Sequence, residues 1–277
     1  MRNGGTTLKL TTNNYYSKKS NREFMSVSQY KEFAKCEACA MAQLNGTWEK
    51  PTSRALLLGS YVDEMLTGTK KSQVKFLTDN NSELFKKNGE PYADIVQAEA
   101  TIKRVKQQPL MMKFLSGKHQ KIMTGSIAGV PFKIRMDSYQ PGEFIADLKY
   151  MSSLRSPNLF EPLVKYWNYV AQGAVYQEIV FQNTGERLPF YLVIATKETP
   201  AHLEVCEIKQ YDLDEELENI KRMAPRFQQI KERLIAPERC EDYNCDFCAE
   251  TKIITEPIDS NFMGMSAKQL KVATGEF

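Results

Sequence analysis

The stretch that most restricts the fold of this chain runs over residues 132–149, with the sequence FKIRMDSYQPGEFIADLK. Apolar and polar side chains alternate in residues 132–139, which is the pattern of a half-buried β-strand. Residues 140–143 contain a proline and a glycine, and they predict a turn. Residues 144–150 predict the return strand. The sequence therefore predicts a β-hairpin near the middle of the chain.

This hairpin carries two carboxylates and one lysine. Asp147 and Lys149 are two residues apart on one strand, so their side chains leave the same face, and Asp137 can reach that face from the neighbouring strand. Mg²⁺ and Mn²⁺ prefer carboxylate oxygens, and a cation held by two aspartates can activate water for attack on a phosphodiester. Lys149 would position that water or stabilise negative charge. The alternative is a surface ion pair that contributes about 0.2–1 kcal/mol.

The spacing of these residues resembles the motif of the PD-(D/E)xK nucleases. Asp137 follows Met136, which occupies the usual proline position, and Asp147 and Lys149 stand where the family has (D/E)xK. Farther along, Gln172 and Tyr176 are similar to the Q-x-x-x-Y helix of the RecB-type nucleases. Because they are four residues apart, we expect them on one helical face.

Asp63 lies in a third segment that resembles these nucleases, at the place where many of them have a metal-binding histidine. The three motifs keep their usual order over residues 25–248, and together they resemble the phage and prophage exonucleases of the RecE type. The resemblance implies an α/β fold with a restriction-endonuclease-like core, in which helices flank a central mixed sheet. It also implies that Asp137 and Asp147 bind Mg²⁺ or Mn²⁺ with Asp63 as an accessory ligand, while Gln172 and Tyr176 help to position substrate.

The function that this resemblance implies is a metal-dependent DNA exonuclease that acts on duplex ends in phage-type recombination. The resemblance further implies 5′→3′ polarity, a ring-like homo-oligomer and a single-strand annealing protein as partner. Two alternatives remain open at the level of sequence. One is a structure-specific or nicking endonuclease, and the other is a non-catalytic DNA-binding module with the same fold.

Cysteines form a second candidate site. Cys240, Cys245 and Cys248 follow one another closely, and thiolates so placed suit a soft or borderline metal. With Cys36 as the fourth ligand, the set resembles the iron–sulfur nucleases related to RecB, which implies a 4Fe–4S cluster. A structural zinc site is the alternative, with Cys36 and Cys39 opposite Cys245 and Cys248. Unliganded free cysteines are the third interpretation.

Bulk properties limit the remaining classes of function. The net charge is only +3, so a DNA-binding face must be a local patch rather than a global property. No apolar run approaches the roughly 20 residues that span a membrane, and no signal peptide is visible, so we expect a cytoplasmic protein without a membrane partner. In that compartment, the six cysteines favour metal binding or free thiols over disulfides.

The order of patterns along the chain predicts three parts. We expect a polar N-terminal arm over residues 1–22, a nuclease domain over 23–250 and a C-terminal tail over 251–277. Within the domain, apolar spacing predicts single helices over 25–44 and 158–182, and a strand over 124–131. A charged helix over 212–235 should be kinked or interrupted at Pro225.

Overall fold

A computed structural model describes residues 8–50, 53–240, 245–255, 257, 259–265 and 269. The helices are, in chain order, α1 (Lys18–Glu23), α2 (Val27–Lys35), α3 (Glu37–Asn45), α4 (Arg54–Thr67), α5 (Lys70–Asp79), α6 (Asn81–Leu84), α7 (Ala93–Lys106), α8 (Pro109–Phe114), α9 (Leu163–Tyr166), α10 (Tyr169–Thr184), α11 (Gln210–Lys231) and α12 (Asp246–Glu250), with a 3₁₀ turn at Ser260–Phe262. The strands are β1 (Lys121–Ile127), β2 (Val130–Met136), β3 (Ser138–Gln140), β4 (Phe144–Met151), β5 (Phe190–Thr196) and β6 (Leu203–Ile208). Among the described residues, no helix combines the length and apolar character needed to cross a bilayer.

The chain divides into two compact units. The first comprises Met1–Pro51, Ser126–Pro131 and Ile220–Phe277, and the second comprises Thr52–Gly125 and Phe132–Asn219. All of the predicted carboxylates of the hydrolytic site belong to the second unit, and all of the predicted cysteine ligands belong to the first. The two candidate sites therefore lie in different units.

A mixed four-stranded sheet forms the centre of the second unit. Its order is β3-β4-β5-β6, with an antiparallel, a parallel and another antiparallel pairing. The connection between the parallel strands β4 and β5 contains α9 and α10, as a parallel crossover requires. The predicted α/β class, with a mixed sheet flanked by helices, is confirmed.

The two central strands are largely buried: β5 is apolar on both faces, and β4 is apolar on one face and carries Asp147 and Lys149 on the other. Ile145 and Ala146 in β4 are fully buried, as are Leu192 and Val193 in β5. Helices α4 and α7 cover part of this sheet and contribute buried side chains to the same core. Removing these apolar surfaces from water supplies the main favourable free energy for this layer. The central position of β4 is what makes the residues that it carries rigid.

The chain before the predicted hairpin differs from the prediction. A strand was predicted over residues 124–131, but β1 ends at Ile127 and β2 begins at Val130. Between them Ala128 and Gly129 have φ of 48° and 79°, the paired positive values of a tight hairpin turn. The prediction was wrong because Gly129 was assigned to a strand interior rather than to a turn.

Two predicted helices are each broken in two. The helix predicted over 25–44 is divided at Cys36, whose extended backbone (φ −159°, ψ 107°) separates α2 from α3. The helix predicted over 158–182 is divided after α9, and α10 begins only at Tyr169. There Asn168 takes a left-handed conformation (φ 49°), and its side chain accepts a hydrogen bond from Ala171 N at 3.3 Å as an N-cap. In both places a residue at a helix boundary resembles an interior residue in sequence.

Pro225 does not interrupt the last long helix, because α11 continues from Gln210 to Lys231. A proline removes one backbone donor, and the buried face that includes Ile220, Ala224 and Phe227 holds the remaining turns. At the other end of the chain, α1 and the buried Tyr15 lie within the stretch predicted as a polar arm, of which residues 1–7 lie outside the described part. The boundaries of arm, domain and tail stay predictions.

Candidate active site and cysteine cluster

Strand β4 brings Asp147 and Lys149 together. Their side chains leave the same face, and Lys149 Nζ lies 2.5 Å from Asp147 Oδ2. Asp147 is almost completely buried, with 3% of its surface exposed. Burial lowers the pKa of Lys149, but the charges of Asp147 and Asp137 raise it more, so the net shift is upward. Lys149 is therefore a permanent cation beside a buried carboxylate.

Gln172 closes a ring with these two residues. It lies at the end of the first turn of α10, where its amide nitrogen donates to Asp147 Oδ1 at 2.6 Å. Its amide oxygen accepts a hydrogen bond from Lys149 Nζ at 2.8 Å. Because one neutral side chain contacts both partners, neither the carboxylate nor the ammonium can rotate independently. The structure thus brings together three of the residues predicted from sequence.

Asp137 lies in the bend between β2 and β3. Its Oδ2 accepts a hydrogen bond from the backbone nitrogen of Leu148, at 3.1 Å, which places the carboxylate beside β4. Burial raises the pKa of Asp137 well above its usual range, and the negative charges of Asp147 and Asp63 raise it further. A bound cation would offset this repulsion among the buried carboxylates.

Asp63 approaches the same place from the last turns of α4. Thr67 Oγ1 donates to its Oδ1 at 3.0 Å, and Gln120 Nε2 donates to its Oδ2 at 3.0 Å. Burial raises the pKa of Asp63 to about 6, and the charges of Asp147 and Glu64 act in the same direction. Asp63, Asp137 and Asp147 are therefore close enough to perturb one another, as the prediction of a shared site requires.

Tyr176 contacts β2 and β5. It lies one helical turn after Gln172, and its hydroxyl donates to the backbone carbonyl of Arg135 at 3.0 Å. Its ring packs edge-on against Phe190, with centroids 6.0 Å apart. These two contacts connect α10 to β2 and β5. The predicted role of Tyr176 in positioning substrate stays a prediction.

Two further residues at the site were missed from sequence. The ring of Tyr169 lies 4.8 Å from Lys149 Nζ, a cation–π distance. Tyr169 is three residues before Gln172 on the same helix, so helical spacing was a signal that could have found it. Gln120, which holds Asp63, had no such signal because it follows the end of α8 in an irregular segment.

The donor set fits a hard divalent cation. Asp63, Asp137 and Asp147 supply anionic oxygens from three different segments, and the first two have raised pKa values because they are buried near like charges. Mg²⁺ and Mn²⁺ bind carboxylates and retain several waters, which suits a site with few protein ligands. Soft ligands such as thiols are not among these three side chains. The arrangement can therefore hold a cation that activates water.

A separate group of thiols lies in the first unit. The sulfur atoms of Cys36, Cys240, Cys245 and Cys248 all lie within 4.8 Å of one another. Cys36 Sγ and Cys240 Sγ are each 3.7 Å from Cys248 Sγ. The extended conformation of Cys36 that breaks the predicted helix is what presents its thiol to the three late cysteines. Residues 241–244, between two of these cysteines, lie outside the described part.

Cys39 is buried next to this group but does not belong to the set of four. Gln43 Nε2 lies 3.3 Å from its sulfur, and its own backbone nitrogen donates to Cys36 Sγ at 3.5 Å. Burial raises the pKa of Cys39, whereas for Cys36 hydrogen bonds from Cys39 and Cys240 outweigh burial and lower it. The geometry therefore favours Cys240 over Cys39 as the fourth ligand.

Comparisons with known proteins agree with this fold. A family described as a PDDEXK-like domain of unknown function (DUF3799) matches residues 26–251. A crystal structure of a "putative exonuclease" from Eubacterium rectale has 42% sequence identity and a TM-score of 0.84, and the match covers 91% of this chain and 97% of that one. SSO0001 is 15% identical with a TM-score of 0.30, over 74% of this chain and 96% of its own, which is too distant to support an argument. None of the curated proteins matches the chain.

Proposed function

The chain belongs to the family of PDDEXK-like domains of unknown function (DUF3799), and from that membership we propose that it is a divalent-metal-dependent DNA exonuclease that acts on duplex ends. The name of the Eubacterium rectale protein supports the choice of an exonuclease. The observation that carries the proposal is the closed ring of Asp147, Lys149 and Gln172 beside Asp137. A surface ion pair would not need a buried carboxylate held by two partners that also contact each other.

The residues of the ring have distinct roles in phosphodiester hydrolysis. Asp137 and Asp147 would hold Mg²⁺ or Mn²⁺, with Asp63 as an accessory ligand, and a bound cation would supply Lewis-acid activation of water and phosphate. Lys149 remains an ammonium, so it donates hydrogen bonds to the attacking water or to a phosphate oxygen on which charge develops. Gln172 holds the carboxylate of Asp147 and the ammonium of Lys149 in place before substrate binds. The two groups therefore need not be oriented during the reaction, which lowers its free-energy barrier.

For the four cysteines we propose a 4Fe–4S cluster, with structural Zn²⁺ as the alternative. The grouping of one early and three late cysteines supports a cluster, because it resembles the arrangement in the iron–sulfur nucleases related to RecB, although the three late cysteines are spaced differently. Four thiolates also suit tetrahedral zinc. Visible absorption of the anaerobically purified protein separates the two metals, because zinc is colourless and a 4Fe–4S cluster is brown.

The proposed substrate is duplex DNA with a free end. The resemblance to RecE-type enzymes supports 5′→3′ polarity, a ring-like homo-oligomer and cooperation with a single-strand annealing protein. Polarity can be measured with duplexes labelled at one end, and oligomeric state by sedimentation. Binding should weaken as salt rises because phosphate contacts release counterions.

Incubation of the full chain with linear and covalently closed circular duplex tests the proposal. With Mg²⁺ or Mn²⁺ present, we expect the linear DNA to be degraded and the circle to remain intact. Asp147→Asn and Lys149→Met should each lower the rate about 100-fold or more, since each removes a charge that acts on the transition state. Asp79→Asn is the matched control, because Asp79 pairs with Lys75 on the exposed surface of α5.

The same assay distinguishes the alternatives. Cutting of the circle would reassign the protein as a structure-specific or nicking endonuclease. Binding of DNA without cleavage by the wild-type chain would support the non-catalytic module. Full activity in purified Asp147→Asn protein would reject the site itself.

A further inference from the structure

The segment between α8 and β1 forms an additional wall of the carboxylate site. Lys118 pairs with Tyr139 as an antiparallel bridge, with hydrogen bonds of 2.7 and 3.1 Å. One residue later, His119 Nδ1 lies 3.1 Å from the backbone carbonyl of Asp137. Gln120 follows and reaches Asp63. The segment therefore contacts two of the three predicted cation ligands in consecutive residues.

Gly117 allows this close approach. Its backbone nitrogen donates to Ser138 Oγ at 3.0 Å, and a Cβ at this position would lie 2.6 Å from that oxygen and 2.8 Å from backbone atoms of Tyr139. A side chain would push the segment away from β3. The glycine thus determines where Gln120 stands relative to the carboxylates.

Gln120 has unusual surroundings for an amide side chain. Its backbone is in the left-handed region (φ 51°), which an ordinary L-residue adopts only when the surrounding contacts require it. Its Nε2 donates to Asp63 Oδ2 at 3.0 Å, whereas its Oε1 is buried and has no hydrogen-bond partner. A buried amide oxygen without a donor is unfavourable, because it has lost the hydrogen bonds that water gives it in the unfolded chain. That cost disappears if a cation or a cation-bound water occupies the space that it faces.

The geometry points to Gln120 as a positioning residue that also supplies a neutral oxygen to the cation site, directly or through a bound water. Its amide nitrogen orients Asp63, and its amide oxygen adds to the oxygens of Asp63, Asp137 and Asp147. Both oxygens of Asp63 then accept from neutral donors, Thr67 and Gln120, so the carboxylate keeps its charge for the cation. This inference rests on the proposed function, because it assumes that a divalent cation binds here.

Binding of Mn²⁺ to the full chain in the absence of DNA tests the inference. The free-ion signal in electron paramagnetic resonance gives the dissociation constant, and the cysteine site is left loaded. Gln120→Met keeps the length of the side chain but removes both amide atoms. We expect it to weaken Mn²⁺ binding about 10-fold or more, the usual effect of losing an outer partner of a metal ligand. Gln107→Met is the matched control on the same unit, at the end of α7.

A measurement of activity against Mn²⁺ concentration separates positioning from a structural role. For Gln120→Met, the midpoint in Mn²⁺ should rise by the same factor as the dissociation constant, while kcat at saturating Mn²⁺ stays within about threefold of wild type. A merely structural role would lower kcat without moving the midpoint, and that result would overturn the inference.

Gln120→Glu tests the oxygen separately from the N–H donor. It replaces the amide oxygen with a carboxylate oxygen and loses the donor to Asp63. If the oxygen serves the cation, this variant should bind Mn²⁺ more tightly than Gln120→Met. Weaker binding would show that only the donor matters and would refute the oxygen role. If Gln120→Met does not fold, Gln120→Asn is the second variant. It keeps the amide oxygen and nitrogen on a side chain one methylene shorter, and it should still weaken Mn²⁺ binding.

Failure of the inference can be told apart from failure of the proposed function. Equal Mn²⁺ affinity in wild type and Gln120→Met would refute the role of Gln120 alone. A wild-type chain that binds no Mn²⁺, or an Asp147→Asn chain that binds it as wild type does, would refute the cation site on which the proposed function depends.

Discussion

Replacing Asp63 by asparagine should make the cation-free protein more stable at neutral pH. Burial, together with the charges of Asp147 and Glu64, raises the pKa of Asp63 from 3.8 to about 6. A carboxyl whose pKa is higher in the folded state contributes stability only while it is protonated, and it loses that contribution as pH rises through 6. At pH 8 the folded protein therefore bears the full cost of the ionised group, and Asp63→Asn removes it.

The size of the gain in stability follows from the shift in the pKa of Asp63. A change of about two pKa units, at about 1.4 kcal/mol each, corresponds to about 3 kcal/mol at pH 8. Asparagine presents one oxygen and one NH₂ to the two donors Thr67 and Gln120, so one hydrogen bond is lost, at about 1 kcal/mol. The expected net gain is about 2 kcal/mol at pH 8. It should fall by about 1.4 kcal/mol at pH 5, where the wild-type carboxyl is mostly protonated in the folded state.

Urea unfolding in a chelating buffer at pH 8 and pH 5 measures this difference. Asp79→Asn serves as the control, because its exposed ion pair with Lys75 should leave stability nearly unchanged at both pH values. Addition of Mn²⁺ should reverse the order, since a ligand that binds only the folded state stabilises the wild type more. A destabilised Asp63→Asn at pH 8, or a gain independent of pH, would refute the reasoning.

Three further substitutions should change stability or metal content. Gly173→Ala should destabilise the chain by about 1–3 kcal/mol in thermal or urea unfolding, because the added Cβ would lie 2.8 Å from Phe190 Cδ1. Tyr176→Phe removes the donor to the carbonyl of Arg135 and should cost about 1 kcal/mol by the same measurement, while nuclease activity is largely retained if the role of Tyr176 is structural. Cys248→Ser removes the thiol that contacts two others, and metal analysis should show less than half of the wild-type iron or zinc content.

The sequence predicted the centre of the site because the motif is local. Asp147 and Lys149 are two residues apart, and alternation along a strand fixes their side chains on one face regardless of the rest of the fold. Gln172 was found through the resemblance to the Q-x-x-x-Y helix of the RecB-type nucleases, a motif that is equally local. These predictions required no knowledge of long-range contacts. The mixed sheet was implied by the family resemblance, and the predicted hairpin was right only in part: β3 pairs with β4, whereas β2 pairs with β1 in a separate two-stranded sheet.

The parts that were missed depend on contacts between distant segments. Gln120 donates a hydrogen bond to Asp63 although 57 residues separate them, and no spacing in the sequence indicates such a pair. Cys36 interrupts a helix whose apolar pattern continues on both sides. Its extended backbone places its thiol in contact with that of Cys248, which is 212 residues away. Tertiary interactions override helical periodicity at such points, and a single sequence does not reveal them.

The separation of the thiols along the chain has a consequence for biosynthesis. Cys36 is synthesised 212 residues before its partner Cys248. The set of four is thus complete only after residue 248 has been added, so a metal that needs all four thiols can be inserted only after that point. A product truncated before Cys240 keeps one of the four sulfurs, and its inability to retain metal would distinguish it from an intact molecule.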